Sequence, residues 1–234
     1  MKKLLLGLFL VGSVLTFAAG RKVSTEQVMI DQNTGIVYVQ GEQTPFTGIV
    51  ETRYENGKLE YEVSYKNGKI EGIAKSYYLN GKLEEEQTYK NNVRDGITKK
   101  YNENTGKLEM QTTYKNGQLE GINKHYSLNG TLEEEVEYKN GKMEGSSKLF
   151  YPSRKLKSIA TFKNGLQVGE QKDYYEDGKL KLEALYKNGN REGITKSYYQ
   201  NGKIQLEAYF KNGVLDGSVK KYDETGKLIN QINF

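Results

Sequence analysis

Seven lysines, Lys75, Lys99, Lys124, Lys148, Lys172, Lys196 and Lys220, recur at steps of 24 or 25 residues and are the groups whose type and spacing could do chemistry. If each copy advances the chain by two strands of a sheet, the ammonium groups stand about 10 Å apart. Such a file could track a polyanion: acidic lipid headgroups, lipopolysaccharide phosphates or acidic glycans. The competing reading is structural, the lysine stems covering neighbouring aromatic rings while the charges reach water. A second file, Glu71, Asp95, Glu120, Glu144, Glu192 and Asp216, precedes a glycine in each of its copies. It is expected on the lysine face, where rows of acid and base neutralise each other across hairpins.

Catalysis finds little footing. The one histidine, His125, occupies a strand position that is Ser76, Lys100 or Leu149 in other copies, so the repeats single out no partner for it. Carboxylates form ladders and not an isolated pair, which gives neither an acid–base couple nor a metal site. There is no cysteine, which excludes a lipidated cysteine, a disulfide and a thiolate metal site. The formal net charge of +5, about +3 without Met1 to Gly20, lacks the positive excess of a nucleic-acid groove. The expectation is a non-enzyme with no cofactor and no nucleic-acid partner.

The elements that position these side chains follow from a repeat. Eight glycines, Gly48, Gly72, Gly96, Gly121, Gly145, Gly169, Gly193 and Gly217, are 24 residues apart with one step of 25. One copy, Tyr65 to Tyr89, holds two Asn-Gly signals between stretches of β pattern, the mark of a β-hairpin. Turn glycines recur as Gly57, Gly81, Gly106, Gly130, Gly178, Gly202 and Gly226, and in a second series from Gly68 to Gly213 in which Asn92 fills one place. Asn tolerates the left-handed conformation, so these places require positive φ. A three-residue loop, Leu79-Asn80-Gly81, pairs Tyr77 with Leu83. It is expected to bring three rows to one apolar face: Tyr77 to Tyr222, Leu59 to Leu228, and Tyr65 to Phe234. Glu62, Glu86, Glu135, Glu183 and Glu207 are then expected on the opposite, solvated face. The fold class is all-β: an elongated array of about eight 24-residue β-hairpin repeats forming a continuous antiparallel sheet, about 70 to 80 Å long. Local bends are expected at the extra residue between Tyr101 and Lys107 and at Pro152 to Lys155, which lacks the turn glycine.

The N-terminus is organised differently. Lys2 and Lys3, the apolar run from Leu4 to Phe17 and the small residues Ala18, Ala19 and Gly20 read as a signal peptide over 1–20. Residues 21–45 break the period and read as a capping hairpin, and 46–234 are the array.

The stretch P-F-T-G-I-V at Pro45 to Val50, with recurring Y-x-N-G-K-L, Y-K-N-G-K and E-G units, resembles the bacterial MORN-repeat variant family over about Pro45 to Phe234. The resemblance implies hairpin arrays associated with membranes, phosphoinositides and protein scaffolding, and members often carry the label of antitoxins of the YwqK type. The combined expectation is an exported, non-enzymatic scaffold, periplasmic, on the cell surface or secreted. It would bind a protein partner or an anionic lipid or glycan surface. The alternative is an antitoxin or immunity protein that blocks a toxin.

Overall fold

The computed structural model describes residues 20–234, so the expected signal peptide, Gly20 apart, lies outside the described residues. Strand β1 (Lys22–Ser24) leads into a 3-10 turn at Thr25–Gln27 and a small hairpin of β2 (Val28–Ile30) and β3 (Val37–Val39). The repeats begin with β4 (Gly48–Arg53), β5 (Leu59–Lys66), β6 (Lys69–Tyr77), β7 (Leu83–Lys90), β8 (Val93–Tyr101) and β9 (Leu108–Lys115), and the same alternation runs on to Leu228–Asn233. Together with β1 these strands form a 19-stranded sheet. From β4 onward each hydrogen-bonds antiparallel to the next, while β1 lies parallel to β4, with Val23 opposite Val50.

Two turn types alternate. The Lys-Asn-Gly turn is a two-residue loop in which Lys66 pairs with Lys69 while Asn67 and Gly68 take φ of 51° and 73°. Positive φ at both places matches the right-handed twist of the flanking strands, which is why Asn-Gly occupies them. In the other turn the Tyr78 N–H donates to the Lys82 carbonyl (2.8 Å) and the Gly81 N–H to the Tyr78 carbonyl (2.7 Å). Gly81 has φ 91°, and Tyr77 pairs with Leu83 as the three-residue loop requires.

The expected single apolar face does not form. Tyr77 pairs with Leu83 but Ser76 pairs with Glu85, so Glu84 is one residue too many on the returning strand. A bulge of one residue inverts the facing of everything beyond it. Lys75 pairs with Glu62 and Glu86 and shares their face, and Tyr77 joins them because its hydroxyl donates to Glu62. Tyr89, three residues past Glu86, points the other way. The row Tyr65 to Phe234 is therefore opposite the row Tyr77 to Tyr222, and the glutamates expected on a separate solvated face stand among the lysines and tyrosines.

The largest buried cluster is at the N-terminal end, where Val23, Val37, Val39, Phe46 and Val50 pack with the Tyr65 ring 6.2 Å from that of Phe46. Gly68 is in close approach there: a Cβ would collide with the Ile36 side chain. Within the array, buried residues are small: Thr98, Thr112, Val136, Ala184, Thr195 and Ala208. They belong to a midline row, Val63, Ala74, Gln87, Thr98 and Thr112 in successive register. Long side chains lean over it, Arg94 lying 5.4 Å from the Tyr114 ring and Arg191 5.4 Å from that of Phe210. A single layer has no opposing sheet, so small residues at the midline roofed by rings and guanidinium groups supply its burial.

Neither expected bend interrupts the register. The extra residue is taken up inside the loop from Asn102 to Lys107, and Tyr101 still pairs with Leu108. Arg154 stands in the glycine place at φ 65° with the same hydrogen bond, its N–H to the Tyr151 carbonyl at 2.8 Å, and Phe150 pairs with Leu156.

Candidate binding face

Many repeating polar residues are occupied in tying each hairpin to the next. At one edge the second tyrosine of each Tyr-Tyr pair, or its equivalent, donates its hydroxyl to a backbone carbonyl of the following copy. The pairs are Tyr54 to Tyr77 (2.6 Å), Tyr78 to Tyr101 (2.7 Å), Tyr151 to Tyr174 (2.6 Å), Tyr175 to Tyr198 (2.6 Å) and Tyr199 to Tyr222 (2.8 Å). Lysines after the turn glycine reinforce this edge, Lys58 reaching the Asn80 carbonyl at 3.0 Å and Lys107 that of Asn129 at 2.7 Å.

At the opposite edge the acid before five of the eight repeat glycines accepts the backbone N–H of the next two-residue turn. Glu71 accepts from Asn91 (2.8 Å), Asp95 from Asn116 (3.1 Å), Glu120 from Asn140 (3.0 Å), Glu144 from Asn164 (2.7 Å) and Glu192 from Asn212 (2.9 Å). Expected as a neutralising row for the lysines, these acids instead hold turns together.

The true acid partners of the lysines lie in the same line across the strands. Reading along the sheet, the register gives Glu62, Lys75, Glu86, Lys99, Gln111, Lys124, Glu135, Lys148, Ile159, Lys172, Glu183, Lys196, Glu207 and Lys220. Lys75 lies 3.8 Å from Glu86, Lys124 3.4 Å from Glu135 and Lys196 3.9 Å from Glu207, while Lys172 turns to Glu170 at 2.8 Å. Lys99, Lys148 and Lys220 make no ion pair with the described residues.

Tyrosines on the same face complete the line. Tyr77, Tyr101, Tyr198 and Tyr222 donate their hydroxyls to Glu62, Glu86, Glu183 and Glu207. Burial, with the adjacent glutamate, raises the Tyr101 and Tyr198 hydroxyls above the ordinary phenol value; at Tyr222 the hydrogen bond to Glu207 is the main cause. On the other side of the charged line, Ile73, Ile97, Ile122 and Ile194 are 43 to 56% exposed. The charged line is thus flanked by tyrosines on one side and, on the other, by exposed isoleucines in four copies, with Ser146, Glu170 and Ser218 in that place in three others.

The turn glycines Gly57, Gly81, Gly106, Gly130, Gly178, Gly202 and Gly226 all have positive φ and take no other part in this face. His125 is exposed, 3.7 Å from Glu133, beside a shallow cavity of about 560 Å³ that Glu109, Tyr126, Ser127 and Leu128 also line. Ser127, in the wall of this cavity, stands where other copies carry the clamping tyrosine, as does Asn102 one copy earlier. No group of three metal-ligating side chains is found among the described residues. The clamps escaped sequence reasoning, although the Tyr-Tyr doublets at Tyr77-Tyr78, Tyr174-Tyr175 and Tyr198-Tyr199 were their signal.

No curated protein matches this chain. A family model described as MORN repeat variant matches residues 46–67, 70–91, 94–116, 119–140, 143–164, 167–188, 191–212 and 215–234. Each matched stretch spans a hairpin with its strand-to-strand ties, and with eight of them filling the array the chain belongs to the MORN repeat variant family.

Proposed function

We propose that the protein is a non-catalytic binding scaffold that works outside the cytosol and holds a protein partner along the face of isoleucine, lysine–glutamate and tyrosine strips. The carrying observation is the column of Ile73, Ile97, Ile122 and Ile194, exposed beside an alternating charge line. Aliphatic and aromatic groups flanked by charges suit a protein interface. An anionic polymer fits less well, since glutamates interleave the lysines and four of the seven lysines are already ion-paired. Export rests on the signal-like residues 1–20.

The test places a photo-crosslinking residue at Ile97 and, on the opposite face, at the exposed Lys100 in cells making the full chain, and follows N-terminal cleavage in cell fractions. A discrete protein adduct from position 97, absent from 100, in the envelope or medium is the expected result. Equal labelling from both faces would remove the face from the proposal. Uncleaved cytosolic protein would remove export and turn attention to the toxin-blocking role.

A further inference from the structure

The charge line is interrupted at Gln111, and the interruption has the form of a site. Glu86, Glu183 and Glu207, each between two lysines, receive a hydroxyl from the tyrosine fifteen residues further on, Tyr101, Tyr198 and Tyr222, as Glu62 beside Lys75 does from Tyr77; Glu135 has Phe150 in that place. Gln111 occupies the corresponding place, with Lys99 on one neighbouring strand and Lys124 on the other. Tyr126 is its tyrosine, and the Tyr126 hydroxyl has no acceptor among the described residues. Two ammonium groups, a phenol donor and a carboxamide that can also donate therefore surround a place where the repeat elsewhere puts a carboxylate.

We propose that Lys99, Gln111, Lys124 and Tyr126 bind an oxyanion of the carboxylate or phosphate class, which takes the position of the missing glutamate carboxylate. The flanking Cα atoms are about 10 Å apart across two strand spacings, within reach of two flexible lysines converging on one ligand. Charge-assisted bonds from both ammonium groups and a hydroxyl are the donor set such a ligand needs. Lys99 has no ion pair, whereas Lys124 already shares Glu135 at 3.4 Å, so Lys99 is the stronger contributor. The other interruption, Ile159 between Lys148 and Lys172, is a built-in comparison. Ile159 has nothing to donate, and Lys172 is engaged by Glu170.

The experiment titrates the full chain with inorganic phosphate at constant ionic strength, following the Gln111 side-chain amide and the Lys99 and Lys124 amides by NMR, and then repeats it with a glutamate-rich peptide. Saturable shifts at these residues but not at Lys148 or Lys172 are expected. Saturation by phosphate identifies a free anion as sufficient, and saturation by the peptide alone identifies an acidic side chain of a protein as the source. Gln111→Glu, which restores the residue other copies carry, should fold normally and weaken binding at least about tenfold by placing a like charge in the site. Non-saturating shifts, equal shifts at Lys148 and Lys172, or unchanged binding in Gln111→Glu would overturn the proposal. The site does not depend on the protein-partner reading: losing the adduct from position 97 while phosphate still binds would sink that reading alone.

Discussion

Removing one hydroxyl from the tyrosine clamp should loosen one joint of the array. Tyr175 donates to the Tyr198 carbonyl at 2.6 Å, and the Lys181 ammonium lies 5.7 Å from its ring. Tyr175→Phe keeps the ring, its apolar contacts and the cation above it, so the loss is the hydrogen bond, about 1 kcal/mol net. In an array whose copies touch only their neighbours, that loss falls on a single interface. Local opening there should become about fivefold more frequent. Tyr54, Tyr151 and Tyr199 donate to three separate joints. The triple Phe variant should lose about 3 kcal/mol, because sites more than about 10 Å apart add. Urea unfolding measures the total and amide hydrogen exchange locates it. If Tyr175→Phe were unchanged within about 0.3 kcal/mol while Tyr175→Ala was strongly destabilised, ring packing and not the hydroxyl would tie the copies together, and the reasoning would be wrong.

Four further outcomes follow from the same geometry. Arg154→Gly should raise stability by about 0.5 to 1 kcal/mol in urea unfolding, since left-handed strain at φ 65° outweighs the extra freedom glycine brings to the unfolded chain. Glu144→Ala removes the acceptor of the Asn164 N–H and should cost about 1 kcal/mol, with exchange faster at that turn. Ser127→Tyr should supply the absent clamp toward Phe150 and gain about 1 kcal/mol, read as a higher urea midpoint. For pH, Tyr101, Tyr198 and Tyr222 are raised in the folded protein. Their contribution is full below the unfolded phenol value of about 10 and is lost as pH rises through the folded values, so the urea midpoint should fall only in strong alkali, together with tyrosinate absorbance.

The glycine period, the Asn-Gly turns and the pairing of Tyr77 with Leu83 were legible because turn chemistry is local: positive φ at Gly81 or Asn92 is a property of one residue and its neighbours. The facing of Tyr89, and the place of Glu86 between Lys75 and Lys99, was not. Those depend on Glu84 bulging outward, and a strand pattern read at period two carries any such miscount to every residue beyond it. The lysine row was legible but its acid partners were not: Glu71 and Glu144, the acids expected to neutralise it, accept backbone N–H groups of the next turn, and Glu86 and Glu135 stand beside Lys75 and Lys124 instead.

The sequence by itself determined a repeating hairpin sheet, its two turn types and its membership among MORN repeats, since periodic glycines and Asn-Gly pairs constrain the backbone without reference to distant residues. Only the tertiary structure decided which rows share a face, which charges meet, and where the pattern fails. Those facts require neighbouring strands to be set in register, as when Lys75 pairs with Glu86 and Glu86 with Lys99, and hydrogen bonds between copies reinforce it: the Tyr175 hydroxyl donates to the Tyr198 carbonyl, and the Asn164 N–H to the Glu144 carboxylate. The site proposed around Gln111 exists for the same reason, because Lys99 and Lys124, 25 residues apart in the chain, become neighbours of one glutamine only when the sheet is assembled.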